Sequence, residues 1–298
     1  MIKASLRFFF STLIALGAVF IAPTHAAEKL NIVASFSILG DLAQQVGGER
    51  VQVHTLVGPD ADAHMYQPAP SDAQTLAKAK LVVINGWGFE GWIPRLMQAS
   101  NYRGPIVTAS EGVKTLLRPS SQAPDPHAWQ DLANAERYVA NIARALGDAD
   151  PANKAFYQAN ASAYQQKISA LNLEVRQMLA VLPATQRKVV TTHDAFFYFG
   201  RAYGVSFIAP LGISNDAEPS AGELARIIRQ IRREKISAIF LENISDPRLL
   251  ERIAQESGAS IGGTLYSDSL SKPDGPAASY LDMMRHNART IAAALARP

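Results

Sequence analysis

The stretch PANKAFYQANASAYQQKISALNLEVRQMLAVL, residues 151–182, decides how this chain is built. It contains no glycine, and its only proline is its first residue. Its large apolar side chains mostly recur at steps of three and four: Tyr157, Tyr164, Ile168, Leu171, Val175, Met178 and Leu182. That spacing predicts one amphipathic helix of roughly thirty residues, ~45 Å long at 1.5 Å per residue. Because so long a helix is uncommon and this one lies mid-chain, we interpret it as a rigid connector between two lobes; the alternative is a core helix of one large domain.

Short apolar runs alternate with helical patterns on both sides of this helix. Before it the runs are LNIVASF (30–36), VQVHTLV (51–57), LVVING (81–86) and GPIVTAS (104–110). After it they are RKVVTTH (187–193), VSFIAPL (205–211), ISAIFLEN (236–243) and ASIGGTLYSD (259–268). Such alternation is typical of parallel β/α units. We therefore predict an α/β fold of two (β/α) lobes with parallel sheets, an N-terminal lobe over 27–150 and a C-terminal lobe over 184–298, joined by the helix at 151–183.

The first 26 residues have the pattern of a secretory signal peptide. Lys3 and Arg7 form a short positive region, residues 8–22 are almost entirely apolar, and Thr24 and Ala26 fit a cleavage site with two small residues. The apolar run is shorter than the ~20 residues that a membrane-spanning helix needs. We predict export and cleavage after Ala26, with no second segment long enough to span a membrane.

Cysteine content and charge exclude several classes of protein. The chain has no cysteine, which excludes disulfides, thiolate metal ligands and a lipid-modified cysteine at the cleavage site. We therefore expect an exported protein without a membrane anchor, located in a periplasm, with secretion as the alternative. The formal charge of +3 falls to +1 when residues 1–26 are removed, which is not the charge pattern of a nucleic-acid-binding protein. We expect a monomer.

Four polar residues follow predicted strands, two in each half of the chain. His64 and His127 lie in loops of the first half, His193 ends the run RKVVTTH, and Asp268 ends GGTLYSD. Because ligands of open parallel sheets bind beyond the carboxyl ends of the strands, these four residues could converge in a cleft between the lobes. Each one alone has an ordinary alternative as a solvated loop residue or a helix or turn cap.

The chemistry of the four residues together indicates a metal site. Three imidazoles and a carboxylate suit a divalent first-row ion. Four protein ligands also fill a tetrahedral shell, whereas a catalytic zinc site keeps one position for water. The remaining histidines of the exported chain, His54 within a strand and His286 on the last helix, do not lie at strand ends, so we interpret both as structural.

Seven ordered motifs resemble those of the TroA-like metal-binding receptors, the extracytoplasmic solute-binding proteins of zinc and manganese ABC importers. They are DAHMYQPAPSD, GWGFEGW, DPHAWQD, HDAFFYFGRAYG, EPSAGELARIIRQI, FLEN and SDSL. The resemblance extends over nearly the whole exported chain. The resemblance implies two (β/α) lobes joined by one long helix with the ion between them. It also implies that His64, His127, His193 and Asp268 are the metal ligands, and that the partner is the membrane permease of an ABC importer.

Two departures from the family pattern bear on which metal is bound. Many zinc receptors carry a His- and acid-rich loop before the second ligand, but KTLLRPSSQAPDPH (114–127) contains no such tract. Manganese receptors commonly have Glu where this chain has His193. Three imidazoles favour zinc, which stands well above manganese in the Irving–Williams order, whereas a bidentate Asp268 would admit manganese. We predict Zn²⁺ as the better bound ion, with a manganese or dual receptor as the alternative.

Two other functions compete with the receptor. A zinc metallohydrolase would need a metal-bound water and a general base, for which Glu242 and Asp131 are candidates, but a filled ligand shell leaves no place for that water. An adhesin, a role assigned to some lipid-anchored relatives, would lack its attachment in a chain without cysteine. We therefore predict a binding protein and not an enzyme.

Overall fold

The computed structural model describes residues 29–118, 122–212, 214 and 219–296. The predicted signal peptide, residues 1–26, lies outside the described residues. Within the described ranges, no helix combines the length and the apolar character that crossing a membrane requires.

The first lobe is a four-stranded parallel sheet with helices around it. Its elements are β1 (Leu30–Phe36), α1 (Ser37–Gly47), β2 (Val51–Val57), α2 (Pro70–Ala77), β3 (Leu81–Ile84), α3 (Ile93–Ser100), β4 (Ile106–Thr108) and α4 (Leu132–Ala149). The strands are ordered β2-β1-β3-β4, and every pair is parallel. Helix α4 is not among the elements predicted from the sequence.

The second lobe repeats this arrangement. Its elements are β5 (Lys188–Val190), α6 (Phe197–Tyr203), β6 (Ser206–Ile208), α7 (Ala221–Glu234), β7 (Ala238–Glu242), α8 (Arg248–Ser257), β8 (Ser260–Leu265) and α9 (Tyr280–Leu295). The order β6-β5-β7-β8 is again fully parallel and is topologically the same as in the first lobe. The predicted α/β fold with two parallel-sheet lobes is confirmed.

The long helix α5 (Lys154–Ala180) links the two lobes. A short 3₁₀ turn over Pro151–Asn153 precedes it. Of the apolar stripe predicted from the sequence, Met178 is half-buried and the other members are buried. The stripe packs against α4 and α1 of the first lobe and α9 and α6 of the second, and one apolar cluster contains residues of both lobes. The connector is therefore also a central part of the core.

Arg187 fixes the end of α5 to the second lobe. Its guanidinium donates hydrogen bonds to the backbone carbonyls of Leu182 (2.8 Å) and Ala180 (2.9 Å). The last carbonyls of a helix have no partner within the helix, so an arginine that binds them stabilises the helix terminus. Because β5 begins at the next residue, the helix passes into the second sheet through a hydrogen-bonded joint.

Candidate metal centre

His64, His127, His193 and Asp268 converge at one point between the lobes. Their nearest ring nitrogens and carboxylate oxygens all lie within 4.8 Å of one another. The Nε2 atoms of His64 and His127 are 3.2 Å apart. Asp268 Oδ2 lies 3.0 Å from His193 Nε2 and 3.4 Å from His64 Nε2, and Asp268 Oδ1 lies 3.5 Å from His127 Nε2. The structure thus brings together all four residues that the sequence singled out.

The sheet topology explains this convergence. His64 follows β2, His127 lies in the long connection after β4, and His193 and Asp268 follow β5 and β8. All four strands end at the edges of the two sheets that face the cleft, where parallel sheets bind their ligands. His127, His193 and Asp268 are fully buried, and only His64 retains exposure, with 8% of its side chain accessible. Solvent therefore reaches the cluster on the His64 side.

Asp125 holds the imidazole of His127 from behind. Its Oδ1 accepts hydrogen bonds from both the His127 ring at Nδ1 (2.9 Å) and the His127 backbone N–H (2.8 Å). Its Oδ2 is buried and has no hydrogen-bond partner among the described residues. With the hydrogen on Nδ1, the Nε2 lone pair points into the cluster, which is the arrangement found around metal-bound histidines.

Glu242, at the end of β7, has the corresponding position behind His193. Its Oε1 accepts hydrogen bonds from the backbone N–H groups of Thr192 (2.8 Å) and His193 (3.0 Å). Its Oε2 lies 2.6 Å from His193 Nδ1, in contact but without the alignment of a full hydrogen bond. Each lobe thus supplies one carboxylate behind one buried histidine.

The charges of the cluster shift its pKa values strongly. Burial would lower the pKa of His127, but the carboxylates of Asp268 and Asp125 override it and raise that pKa to about 9. Burial is likewise overridden at His193, where Glu242 and Asp268 raise the pKa well above its ordinary value. The two imidazoles in turn lower the pKa of Asp268 well below its usual range, against the effect of burial. Without a metal, protons on the buried imidazoles therefore balance the carboxylates.

An aromatic wall encloses the first-lobe side of the cluster. The Phe89 ring, from the GWGFEGW motif, lies edge-on to His64 with 4.4 Å between centroids. It also packs against Trp129 at 4.9 Å and Phe36 at 4.8 Å, and Trp129 lies 5.3 Å from the His127 ring. These side chains restrict the imidazole orientations and keep water from the buried side of the site.

The loop that carries His64 is tied down at several points. Asp62 Oδ1 accepts the backbone N–H of His64 at 2.8 Å, which makes a tight local turn. The Trp92 indole donates to the Ala63 carbonyl at 2.8 Å. The backbone N–H of Asp60 donates to the Leu270 carbonyl at 3.0 Å, so this loop is also bonded to the second lobe next to Asp268.

The structure separates the other candidates from the cluster. His54 lies within β2, and the ring of His286 on α9 forms a hydrogen bond with the Thr264 carbonyl (Nε2···O 3.0 Å). Asp131 caps α4, where its Oδ1 accepts the Ala133 N–H at 3.0 Å. Glu242 contacts His193 from behind and does not face the centre. Neither carboxylate occupies the place of a general base, and the supporting roles of Asp125 and Glu242 were not predicted from the sequence.

Comparison with known proteins agrees with this geometry. A family model described as zinc-uptake complex component A, periplasmic, matches residues 32–294. The chain belongs to this family. Its members are solute-binding receptors, so the chain is a metal-binding receptor of an ABC transporter and not an enzyme.

Individual relatives cover nearly the whole chain. The manganese-binding lipoprotein MntA of Halalkalibacterium halodurans is 33% identical over 91% of this chain and 90% of its own length. The iron-binding protein YfeA of Yersinia pestis is 34% identical over 91% and 88%. The solved structure of the periplasmic zinc-binding protein TroA from Treponema pallidum has a TM-score of 0.86 and 29% identity, covering 91% of this chain and all of that one. These names cover three different metals.

Proposed function

We propose that this protein is a periplasmic receptor that captures Zn²⁺ between its lobes and delivers it to the permease of an ABC importer. His64, His127, His193 and Asp268 would be the ligands. Cleavage of a signal peptide after Ala26 would release the receptor into the periplasm, where it would act as a monomer without contact with nucleic acid.

The spacing of the four ligand atoms carries this proposal. Four contacts within the cluster measure 3.0–3.5 Å, and the widest separation of ligand atoms is at most 4.8 Å. Metal–ligand bonds of 2.0–2.1 Å in a tetrahedral shell put neighbouring ligand atoms about 3.3 Å apart. A zinc ion at the centre would therefore match the short contacts and draw the more distant ligand atoms together. It would also supply a partner for Asp268 Oδ1, a buried oxygen with no hydrogen-bond partner among the described residues.

The ligand set favours zinc, but one feature supports a second candidate. Three imidazoles and one carboxylate are the nitrogen-rich set that zinc prefers. Both oxygens of Asp268 face the cluster, Oδ1 toward His127 and Oδ2 toward His64 and His193. Coordination through both oxygens would raise the coordination number to five and accommodate Mn²⁺. The alternative is a receptor that serves manganese, or both ions.

Metal analysis of the purified protein is the direct test. Residues 27–298 would be expressed with export and purified without chelator, and bound metals would be measured by mass spectrometry. Competition titrations with zinc and manganese would then rank the two ions. We expect one equivalent of metal and tighter binding of zinc. Protein that binds neither ion at micromolar concentration would overturn the proposal, and tighter binding of manganese would favour the alternative.

A further inference from the structure

Glu242 and Asp125 divide their oxygens in different ways, although each lies behind a buried histidine. One oxygen of Glu242 accepts two backbone N–H groups, and the other contacts the His193 ring. A single oxygen of Asp125 accepts both the backbone N–H and the ring of His127, and its second oxygen has no partner among the described residues. The His193 ring is thus contacted by Glu242 Oε2, whereas Glu242 Oε1 binds the backbone.

This difference matters because an imidazole binds a metal through Nε2 only when the hydrogen is on Nδ1. The atom behind Nδ1 must therefore be an acceptor. His193 Nδ1 and Glu242 Oε2 are both buried, and neither has another partner among the described residues. Within the part of the chain that the structure describes, no donor and no other acceptor competes for the ring there.

We propose that Glu242 is the positioning residue that sets the tautomer of His193, and that this role depends on its having two acceptor oxygens and not only on its charge. The proposal rests on the proposed function, because it concerns the same metal site. It also predicts that amide substitutions at the two carboxylates have unequal effects.

The isosteric substitution Glu242→Gln tests whether Glu242 sets the tautomer of His193. The amide has one oxygen, and the two backbone N–H groups of Thr192 and His193 require it. The amide NH₂ would then face His193 Nδ1 and donate a hydrogen bond to it. With Nδ1 as an acceptor, the single hydrogen of the neutral ring would be on Nε2, where it would prevent metal binding. Flipping the amide would place NH₂ against two N–H donors, leaving buried groups unpaired at a larger cost.

Asp125→Asn removes the same charge without this conflict. The amide oxygen can still accept both the backbone N–H and Nδ1–H of His127, and the NH₂ group would occupy the place of the unpartnered Oδ2. His127 therefore retains the tautomer that binds metal. The two substitutions form a matched pair. Both remove one negative charge, but only Asp125→Asn keeps an acceptor oxygen for the histidine ring.

The experiment compares zinc affinity of the parent, Glu242→Gln and Asp125→Asn by chelator competition at one pH, with thermal unfolding measured alongside. Loss of an outer-shell partner typically lowers metal affinity ~10–100-fold. We expect Glu242→Gln to reach or exceed this range and Asp125→Asn to stay below ~10-fold. Glu90→Gln is the control for loss of a buried carboxylate that contacts no proposed ligand. Glu90 accepts hydrogen bonds from the Ser35 hydroxyl and from the backbone N–H groups of Asn85 and Gly86, so this variant should lower the unfolding temperature and reduce zinc affinity less than Glu242→Gln does.

A spectroscopic readout separates the tautomer from general destabilisation. Long-range ¹H–¹⁵N correlation spectra of metal-free Glu242→Gln would be recorded at rising pH until the His193 ring carries a single hydrogen, and they should then show that hydrogen on Nε2 and an acceptor-type Nδ1. If this variant does not fold, the zinc-loaded parent remains informative, since its His193 Nδ1 proton should be protected from exchange and shifted downfield by the carboxylate.

The outcomes are distinguishable from those of the proposed function. A parent protein that does not bind zinc refutes the receptor proposal itself. A parent that binds zinc, with equal losses for the two amide variants, would show that only charge matters and would overturn the tautomer role. An Nδ1–H form of His193 in Glu242→Gln, or an unprotected Nδ1 proton in the zinc-loaded parent, would overturn it as well.

Discussion

The indole of Trp129 in the first lobe donates a 2.9 Å hydrogen bond to the backbone carbonyl of Ser267 in the second lobe. Trp129 lies two residues after His127, and Ser267 directly precedes Asp268. The side chain of Gln130 donates to the same carbonyl at 2.7 Å, and all of these residues are buried. The segments that carry two of the proposed ligands are therefore held together across the cleft by bonds that need no metal.

This bonding predicts that the lobes do not separate widely when metal leaves. Opening would break buried hydrogen bonds to Ser267, and α5 contains neither glycine nor proline at which to bend. Hinge closure normally uses a few loop or element-terminal residues that absorb large backbone changes. X-ray scattering of metal-free and zinc-loaded protein should give nearly equal radii of gyration, and a lobe rotation as large as in hinge-closing sugar receptors would contradict the prediction. Release would then depend on the loop that carries His64.

Removal of each proposed ligand should weaken zinc binding strongly. Loss of a residue that only supports a ligand lowers metal affinity by up to ~100-fold. We expect a larger loss of zinc affinity in each of four variants: His64→Ala, His127→Ala, His193→Ala and Asp268→Ala. His54→Ala and His286→Ala are matched controls, because both histidines lie away from the cluster. Competition titrations would measure the affinities. Equal affinity of His193→Ala and the parent would disprove the four-ligand site.

Zinc affinity should rise with pH through the neutral range and beyond it. In the metal-free site, the carboxylates of Asp268 and Asp125 raise the pKa of His127 to about 9 against the effect of burial, and the pKa of His193 is also raised. Both imidazoles must lose a proton before binding zinc. Calorimetry at pH 7.5 in buffers of different ionisation enthalpy should detect release of about two protons. Zero released protons would mean that the buried imidazoles are already neutral.

Local sequence patterns were sufficient for the outline of the fold and for the candidate ligands. The helical spacing over α5 predicted its length, and the strand-end positions of His64 and Asp268 predicted their convergence, because parallel strands share one ligand-binding edge. Helix α4 has an equally regular spacing, with Leu132, Ala135, Val139 and Leu146 buried, but no element was predicted there. The packing of α4 against α5 was therefore not predicted either.

The supporting groups could not be predicted in the same way. Asp125 precedes His127 by two residues, which is a detectable local signal, but Glu242 reaches His193 across 49 residues through the pairing of β5 with β7. The bond from Trp129 to Ser267 joins residues 138 apart. Such contacts depend on ring orientation and on how the lobes dock, which are properties of tertiary packing and not of local periodicity.

The metal-free protein should lose stability as the pH rises above neutrality. The pKa of His127 is about 9 in the folded state against ~6.5 in the unfolded chain. Because the pKa is raised in the folded state, protonated His127 stabilises the fold fully below pH ~6.5, and this stabilisation is lost as the pH rises to about 9. The contribution of this one group to the free energy of unfolding is roughly 3 kcal/mol at most. Asp268, whose pKa is lowered, acts in the opposite sense and loses its contribution below pH ~4.

Chemical unfolding of metal-free protein at several pH values would measure this dependence. We expect the free energy of unfolding to fall between pH 6.5 and pH 9, whereas zinc-loaded protein should not show this fall, because the bound imidazoles carry no competing proton. His127→Gln should make this fall smaller without abolishing it, because the raised pKa of His193 acts in the same sense. A metal-free profile that rises over this interval would contradict the assigned charges.

His193 is the residue at which the choice between zinc and manganese should be most sensitive. Substituting His193→Glu replaces a nitrogen donor by a harder carboxylate and leaves two imidazoles and two acids around the ion. Manganese prefers oxygen donors and higher coordination numbers, whereas zinc prefers the tetrahedral, nitrogen-rich set. The ratio of zinc to manganese affinity should therefore decrease, even if zinc remains the more tightly bound ion.

A second variant controls for repulsion between carboxylates. In the parent, Glu242 Oε2 lies 2.6 Å from His193 Nδ1, so a glutamate at position 193 would lie close to Glu242. Combining His193→Glu with Glu242→Gln would relieve the repulsion between the two acids. Competition titrations of the parent, the single and the double variant at one pH would decide the matter. An unchanged ratio in both variants would remove His193 from the metal's ligands, and with it the main reason for proposing zinc.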